Sequence, residues 1–214
     1  MRLSSIIFLV CLFTLCLPVG LSAQGWDKLN ISAGGGFSEP VENAGESLDT
    51  GWNIDFRGGY NATHRLALDL DFNYNRWNLN SAALARFGEP GGDVSVWSIS
   101  FQPMQRLLPR RSPLNAYLTG GFGLYHRNLS LTQPTTVTSL FCDPFFGCFP
   151  VTFTADQVVA SVNNWKPGFN AGAGVEARLG ASRARVFGEA RYQRMFTNHG
   201  ADLTFVPVTF GIRW

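Results

Sequence analysis

From Leu66 to Tyr74 the chain reads LALDLDFNY, with a large apolar residue at every second position and a small or polar one between. A helix repeats every ~3.6 residues and scatters that pattern around its circumference, whereas a strand alternates faces and collects it on one side. Seven further segments carry the same alternation: Leu29–Phe37, Trp52–Tyr60, Trp97–Gln102, Leu114–Tyr125, Phe169–Leu179, Val186–Gln193 and Val206–Trp214. In each, one face is apolar and the other holds small, polar or charged residues, with Tyr117 and Tyr125 joining the polar face of the fifth. An all-β fold of eight antiparallel strands running up and down is expected.

Composition and the N-terminus decide where such strands live. Arg2 precedes the apolar run Ile6–Leu17, which is followed by Pro18, Gly20 and the small residue Ala23. That is the layout of a cleaved secretory signal peptide. The run falls short of the ~20 apolar residues that span a bilayer. Neither Cys11, after Val10, nor Cys16, after Leu15, follows the small residue that a lipoprotein signal needs. Residues 1–23 are read as signal peptide and 24–214 as the barrel domain. Only 15% of the chain is charged, against about a quarter in water-soluble proteins, and no later segment approaches the ~18 apolar residues of a membrane helix. An exported chain of this kind is left with the closed barrel as its membrane solution. The 17 basic and 15 acidic residues nearly balance, so nothing points to nucleic acid as a partner.

Connections alternate in length. Long ones follow the first, third and fifth segments, an intermediate one follows the seventh, and the links at NATH, RLLPRRSP and GASRA are compact. With both termini in the periplasm, the compact links face inward and the long ones outward, the asymmetry of a bacterial outer-membrane barrel. A soluble barrel would also have one apolar face, but pointing inward. The membrane version is favoured by strands of about ten residues, where soluble strands average ~5–6. It is favoured too by Trp52 and Tyr60 on one strand, placed roughly 20 Å apart along the membrane normal, as two aromatic girdles require. Pro207, inside the eighth segment, is read as a bulge near the outer rim.

The C-terminal TFVPVTFGIRW resembles the last strand of outer-membrane barrels, in which apolar residues alternate toward a terminal aromatic, here Phe210, Ile212 and Trp214. PLNAYLTGGFGLYHRN, PGFNAGAGVEARLG and RVFGEARYQR resemble strands five to seven of the small OmpA/OmpX-like, opacity-type barrel family. The resemblance covers most of the mature chain. It implies an eight-stranded transmembrane barrel surrounded by outer-membrane lipid, inserted by the barrel assembly machinery. It implies no single activity, because members differ: some are adhesins, some resist host defences, some tether the envelope. No periplasmic domain is expected after Trp214, and with it no tethering role. A monomer without cofactor is expected.

Asp55, Arg57, Asp69, Asp71, Glu176, Arg178, Glu189, Arg191 and Arg213 all fall on the polar face. An eight-stranded barrel is just wide enough for its side chains to fill it, and buried charges must pair. Setting Glu176 opposite Arg191 and Arg178 opposite Glu189 makes both cross-strand pairs opposite in sign. Arg57 reaches Asp69 or Asp71. The reading is a salt-bridged plug rather than an ion path, with negligible conductance. His126, near Ser130, and His199, near Asp202, lie toward the outer end, where a histidine could serve as general base for acyl transfer to lipid A. Solvated loop histidines are the simpler reading, and His64 sits in a turn. Arg106, Arg110 and Arg111 are placed in a compact turn near lipid headgroups. No metal site and no nucleotide-binding glycine loop is expected.

The longest connection, roughly 128–163, contains SLFCDPFFGCFP. Cys142 and Cys148 are the cysteines of the mature chain, and the envelope outside the cytoplasm is oxidising, so a disulfide is expected. It would stiffen a tip carrying Phe141, Phe145, Phe146 and Phe149. Those rings either project toward a partner or fold down over the barrel mouth. A non-enzymatic role in surface interaction or envelope integrity is favoured. A lipid-modifying enzyme and a carrier of small hydrophobic molecules are the alternatives.

Overall fold

Each strand of an alternating sheet needs a neighbour on both sides, and this chain supplies them by closing on itself. The computed structural model describes residues 28–109, 112–180, 182–197 and 202–214; the expected signal peptide, 1–23, lies outside them. Eight antiparallel strands follow one another around a closed ring: β1 (Leu29–Val41), β2 (Gly51–Asn61), β3 (Leu66–Asn78), β4 (Gly91–Arg106), β5 (Leu114–Asp143), β6 (Gly147–Arg178), β7 (Arg185–Met195) and β8 (Leu203–Arg213). β8 pairs with β1 from Ser32 opposite Arg213 to Val41 opposite Thr204. Closure removes the free edge that lipid could not satisfy.

The alternation sorts residues as an inverted core. On β3, Ala67, Asp69, Asp71, Asn73, Asn75 and Trp77 are buried, while Leu68, Leu70 and Phe72 face out. Phe37, Trp52, Ile99, Phe122 and Phe210 are likewise exposed. Apolar side chains outside and polar ones inside invert the soluble arrangement and fit a lipid solvent.

At one end the turns are short. At the other, the β1–β2 connection forms a single 3-10 turn, Glu42–Ala44. The β3–β4 connection forms a short helix, α1 (Ser81–Phe87). Asn80 caps α1 by accepting the Ala83 N–H at 2.9 Å, and Gly88, at φ 71°, ends it in the left-handed conformation. Leu48 and Leu79 bridge the two connections. They pack with Ala44, Ala83, Trp77, Val94, Val96, Tyr125, Met195, Leu203 and Phe205 in one apolar cluster across that end of the barrel.

Two backbone expectations are corrected. Pro207 makes no bulge: on the β7 side pairing stops at Ala190–Val208 and resumes at Gln193–Phe205 in the same register. The missing N–H interrupts the ladder without shifting it. The segment 128–163 is not a loop. β5 and β6 leave the ring as a two-stranded ribbon, paired as far as Asp143 opposite Gly147, with a bulge between Leu131 and Thr132. Its threonine, valine and phenylalanine content suits an extended chain. Pro134 and Pro150 are tolerated because each ribbon strand has a free edge.

Candidate functional site: a closed lumen and a projecting hairpin

Arg57 on β2 lies at the centre of the lumen. Its Nε donates to Asp55 Oδ1 and Asp71 Oδ1, both at 2.9 Å, and its two terminal nitrogens grip Glu189 at 2.8 and 2.6 Å. Arg191 on β7 crosses the lumen to Asp71 at 2.9 Å and to Gln102 at 3.0 Å, and also pairs with Asp55. Two guanidinium groups thus share three carboxylates. A planar fork with five N–H donors can bridge several acceptors at once, which an ammonium on a flexible stem does less well.

A second cluster lies toward the short turns. Glu176 receives Arg213 at 2.7 Å and Arg106 at 3.1 Å, with Arg185 at 3.5 Å. The Arg213 guanidinium stacks over Tyr117 at 4.9 Å and Phe187 at 5.0 Å. Arg106 also donates to Asn61 at 3.1 Å, so one side chain links β4, β6 and β2. Among the described residues the buried charges are Arg57, Arg106, Arg185, Arg191, Arg213, Asp55, Asp69, Asp71, Glu176 and Glu189, five of each sign.

Several expected pairings differ. Glu176 stands opposite Phe187, Gly174 opposite Glu189 and Gly172 opposite Arg191. The cause is volume. Long side chains reach across the lumen, so the position beside each must be small. A Cβ on Gly172 would come within 2.6 Å of the Arg191 side chain, and one on Gly174 within 2.5 Å of the Tyr117 ring. Arg178 is not in the lumen: it is exposed at the end of β6, opposite Arg185. Arg57 stands opposite Asp71 and bonds it, one of the two acids expected, while Asp69 is buried and accepts from the Asn30 amide at 3.0 Å. Gly59 stands between Asn30 and Asp69 on the intervening strand, and its missing side chain leaves their path open. Arg106 belongs to the lumen rather than to a turn; Arg110 and Arg111 lie outside the described residues. Arg106 and Arg185 were the inward charges missed, and each continues its strand's inward parity by one step, after Met104 and before Phe187.

The far end is closed by apolar contacts. The Trp77 indole N–H donates to the Ser38 carbonyl at 3.0 Å, and its ring meets Phe205 edge-on at 4.8 Å. With charges packed below and this cluster above, purified protein in planar bilayers is expected to give no steady conductance steps. Reproducible ion-selective openings from the wild type would contradict a filled lumen.

On the outer wall, Tyr74, Trp97, His126 and Trp165 lie in one register across β3 to β6. Trp97 meets Trp165 at 4.5 Å, and the His126 ring sits 5.3 Å from Trp97 and 4.9 Å from Trp165. His126 is thus part of an aromatic belt. Ser130 lies two positions further along the same face, about 13 Å away at ~3.3 Å per residue; it accepts from Asn128 at 3.3 Å. No acyl-transfer pair forms there. His199 lies outside the described residues, and Asp202 accepts from the Thr197 N–H and Arg194, both at 2.9 Å. Phe210 and Ile212 face outward on β8, and the backbone of Trp214 pairs with Ile31 of β1. Among the described residues no cluster of histidine, cysteine or acidic side chains could hold a metal ion.

The ribbon ends in a disulfide between Cys142 and Cys148. Asp143 Oδ1 accepts the N–H groups of Phe145 at 2.8 Å and Phe146 at 3.0 Å, and Gly147 turns the chain at φ 80°. Phe145 and Phe146 are 89% and 85% exposed. Phe141 and Phe149 face each other across the ribbon at 5.7 Å. The mouth is covered instead by the β1–β2 and β3–β4 connections.

A closed eight-stranded ring, lipid-suited outside and salt-bridged inside, defines a transmembrane β-barrel with a filled lumen. The chain belongs to the outer membrane protein beta-barrel domain family, whose model matches residues 7–213, and it is a protein of the bacterial outer membrane. Its fold is similar to that of Neisserial surface protein A, with TM-score 0.56 and 14% identity over 86% of this chain and 95% of that one. It is also similar to a major outer membrane protein of Thermus thermophilus, with TM-score 0.53 and 10% identity over 87% and 98%. No curated protein matches the chain.

Proposed function

We propose that this barrel is a surface-contact protein, anchored by its filled ring and acting through the β5–β6 hairpin. The observation that carries the reading is the tip itself: Phe145 and Phe146 are 89% and 85% exposed on a disulfide-closed turn. Large rings left free in water are costly unless something covers them. Holding them rigid beforehand reduces what ordering costs on contact. In this reading the signal peptide directs export, and Phe210, Ile212 and Trp214 present the strand read by the assembly machinery. The finished barrel works as a monomer in outer-membrane lipid.

The test is surface display of the wild type and of a variant with residues 139–150 replaced by a short Gly/Ser turn. Retention is measured on immobilised mammalian cells, matrix proteins and neighbouring bacteria. The variant is expected to fold, shown by unchanged heat-modifiable mobility, and to lose retention. Equal retention on every surface sinks the reading.

A further inference from the structure

We infer that the partner of the hairpin tip is a lipid bilayer apposed to the cell, entered by Phe145 and Phe146. The inference rests on the surface-contact reading and adds the partner's chemistry.

Charge comes first. Between Asn128 and Asn163 there is no lysine, arginine, histidine or glutamate, and the only ionisable side chains are Asp143 and Asp156. A sulfated or phosphorylated polymer needs cations to hold it, and the ribbon offers none. An uncharged, non-directional apolar phase needs none.

Shape comes second. The two freest rings stand at the convex apex of a two-stranded ribbon. Together they present roughly 300–500 Å², below the ~800 Å² per partner of a stable protein interface. Insertion into a membrane depends on apolar depth rather than on a broad complementary face, and interfacial segments sink by about 5–10 Å.

Backbone polarity comes third. A turn entering an apolar phase must bring no orphan N–H. Pro144 has none, and those of Phe145 and Phe146 are held by Asp143. Behind them Asp143 and Gly147 close the ladder and the disulfide locks it. The apex N–H groups can leave water without losing their hydrogen bonds. Asp143, half-buried beneath the rings, stays at headgroup depth.

Reach comes last. From His126, in the belt at the protein's own membrane surface, to Cys142 the strand extends about 50 Å at ~3.3 Å per residue. That reach is long enough for the tip to meet a bilayer other than its own.

The full-length barrel in lipid nanodiscs is mixed with phosphatidylcholine vesicles, with and without an anionic phospholipid, at low and high salt. Co-flotation is measured for the wild type and for Phe145→Ser/Phe146→Ser. The wild type is expected to float with both vesicle types at both salt concentrations, and the double variant to bind about tenfold less. The substitutions lie far from the ring, and heat-modifiable mobility verifies folding. Absence of flotation, equal flotation of the variant, or binding only to anionic vesicles at low salt would each overturn the inference. If vesicles are not bound while replacing 139–150 still abolishes retention, the bilayer is the wrong partner and surface contact stands. If that replacement changes nothing, surface contact falls.

Discussion

Arg57→Ala is expected to destabilise the folded barrel by about 3–5 kcal/mol, the range seen when one partner of a buried ion pair is removed. The side chain is fully buried and contacts Asp55, Asp71 and Glu189 within 2.6–2.9 Å. Without it, three carboxylates share Arg191 alone, inside a wall that water cannot readily reach. The unfolding midpoint in urea, followed by the gel-mobility difference between folded and unfolded barrel, should fall markedly. Arg57→Lys should recover only part of the loss, because one ammonium cannot bridge the three acids as the guanidinium does. Adding Glu189→Gln to Arg57→Ala should restore some stability by removing one of the stranded charges. The two changes should be strongly non-additive, as expected within one network. An unchanged midpoint in Arg57→Ala would show that the cluster is solvated rather than a plug.

Trp77→Ala is expected to cost a comparable ~3–5 kcal/mol, for a different reason: it opens a cavity. Trp77 is 1% exposed and sits where β3 meets the mouth cluster, touching Phe205 and tying its indole to Ser38 on β1. Its loss removes the surface on which Leu48, Leu79 and Ala83 converge. The connections 42–50 and 79–90 should then become sensitive to protease while β1–β8 stay protected. Trp77→Phe keeps most of the volume and loses the N–H bond, so its cost should be nearer ~1 kcal/mol. Protease resistance unchanged from wild type in Trp77→Ala would mean that the cover is held by something other than this cluster.

The facing of nearly every strand residue was legible, because period two is a local property: Asp55, Asp71, Glu189 and Arg213 could be placed inside by counting alone. Register was not. Setting Glu176 opposite Arg191 treats charges as neighbours on adjacent strands. In the lumen Arg57 reaches from β2 to β7 and Arg191 from β7 to β3, and no adjacent-strand rule contains that information. The better guide was glycine: Gly172 and Gly174 are small where Arg191 and Tyr117 need room. The hairpin was obscured by Pro134 and Pro150, which usually signal a loop. Yet Val137, Phe141, Phe149, Val151 and Phe153 alternate with Thr136, Thr138, Thr152 and Thr154, so the strand signal was present. The mouth cluster was hidden because Val94, Val96, Met195 and Phe205 are apolar residues on the polar face, and only the covering connections make that face dry.

The ion pairs of the lumen also bear on how the ring forms. Glu189 and Arg57 come from strands on opposite walls, as do Arg191 and Asp71, and Arg106 must meet Glu176 across the intervening β5. A hairpin laid down alone, or a sheet not yet joined at β1 and β8, leaves these groups apart on a surface next to lipid. The Arg57 contacts with Asp55 and Asp71 can form within the β2–β3 hairpin, but the network is complete only when all the walls face one another. Half-built sheets therefore carry an electrostatic penalty that the finished ring does not, and the last seam closes with the whole network at once.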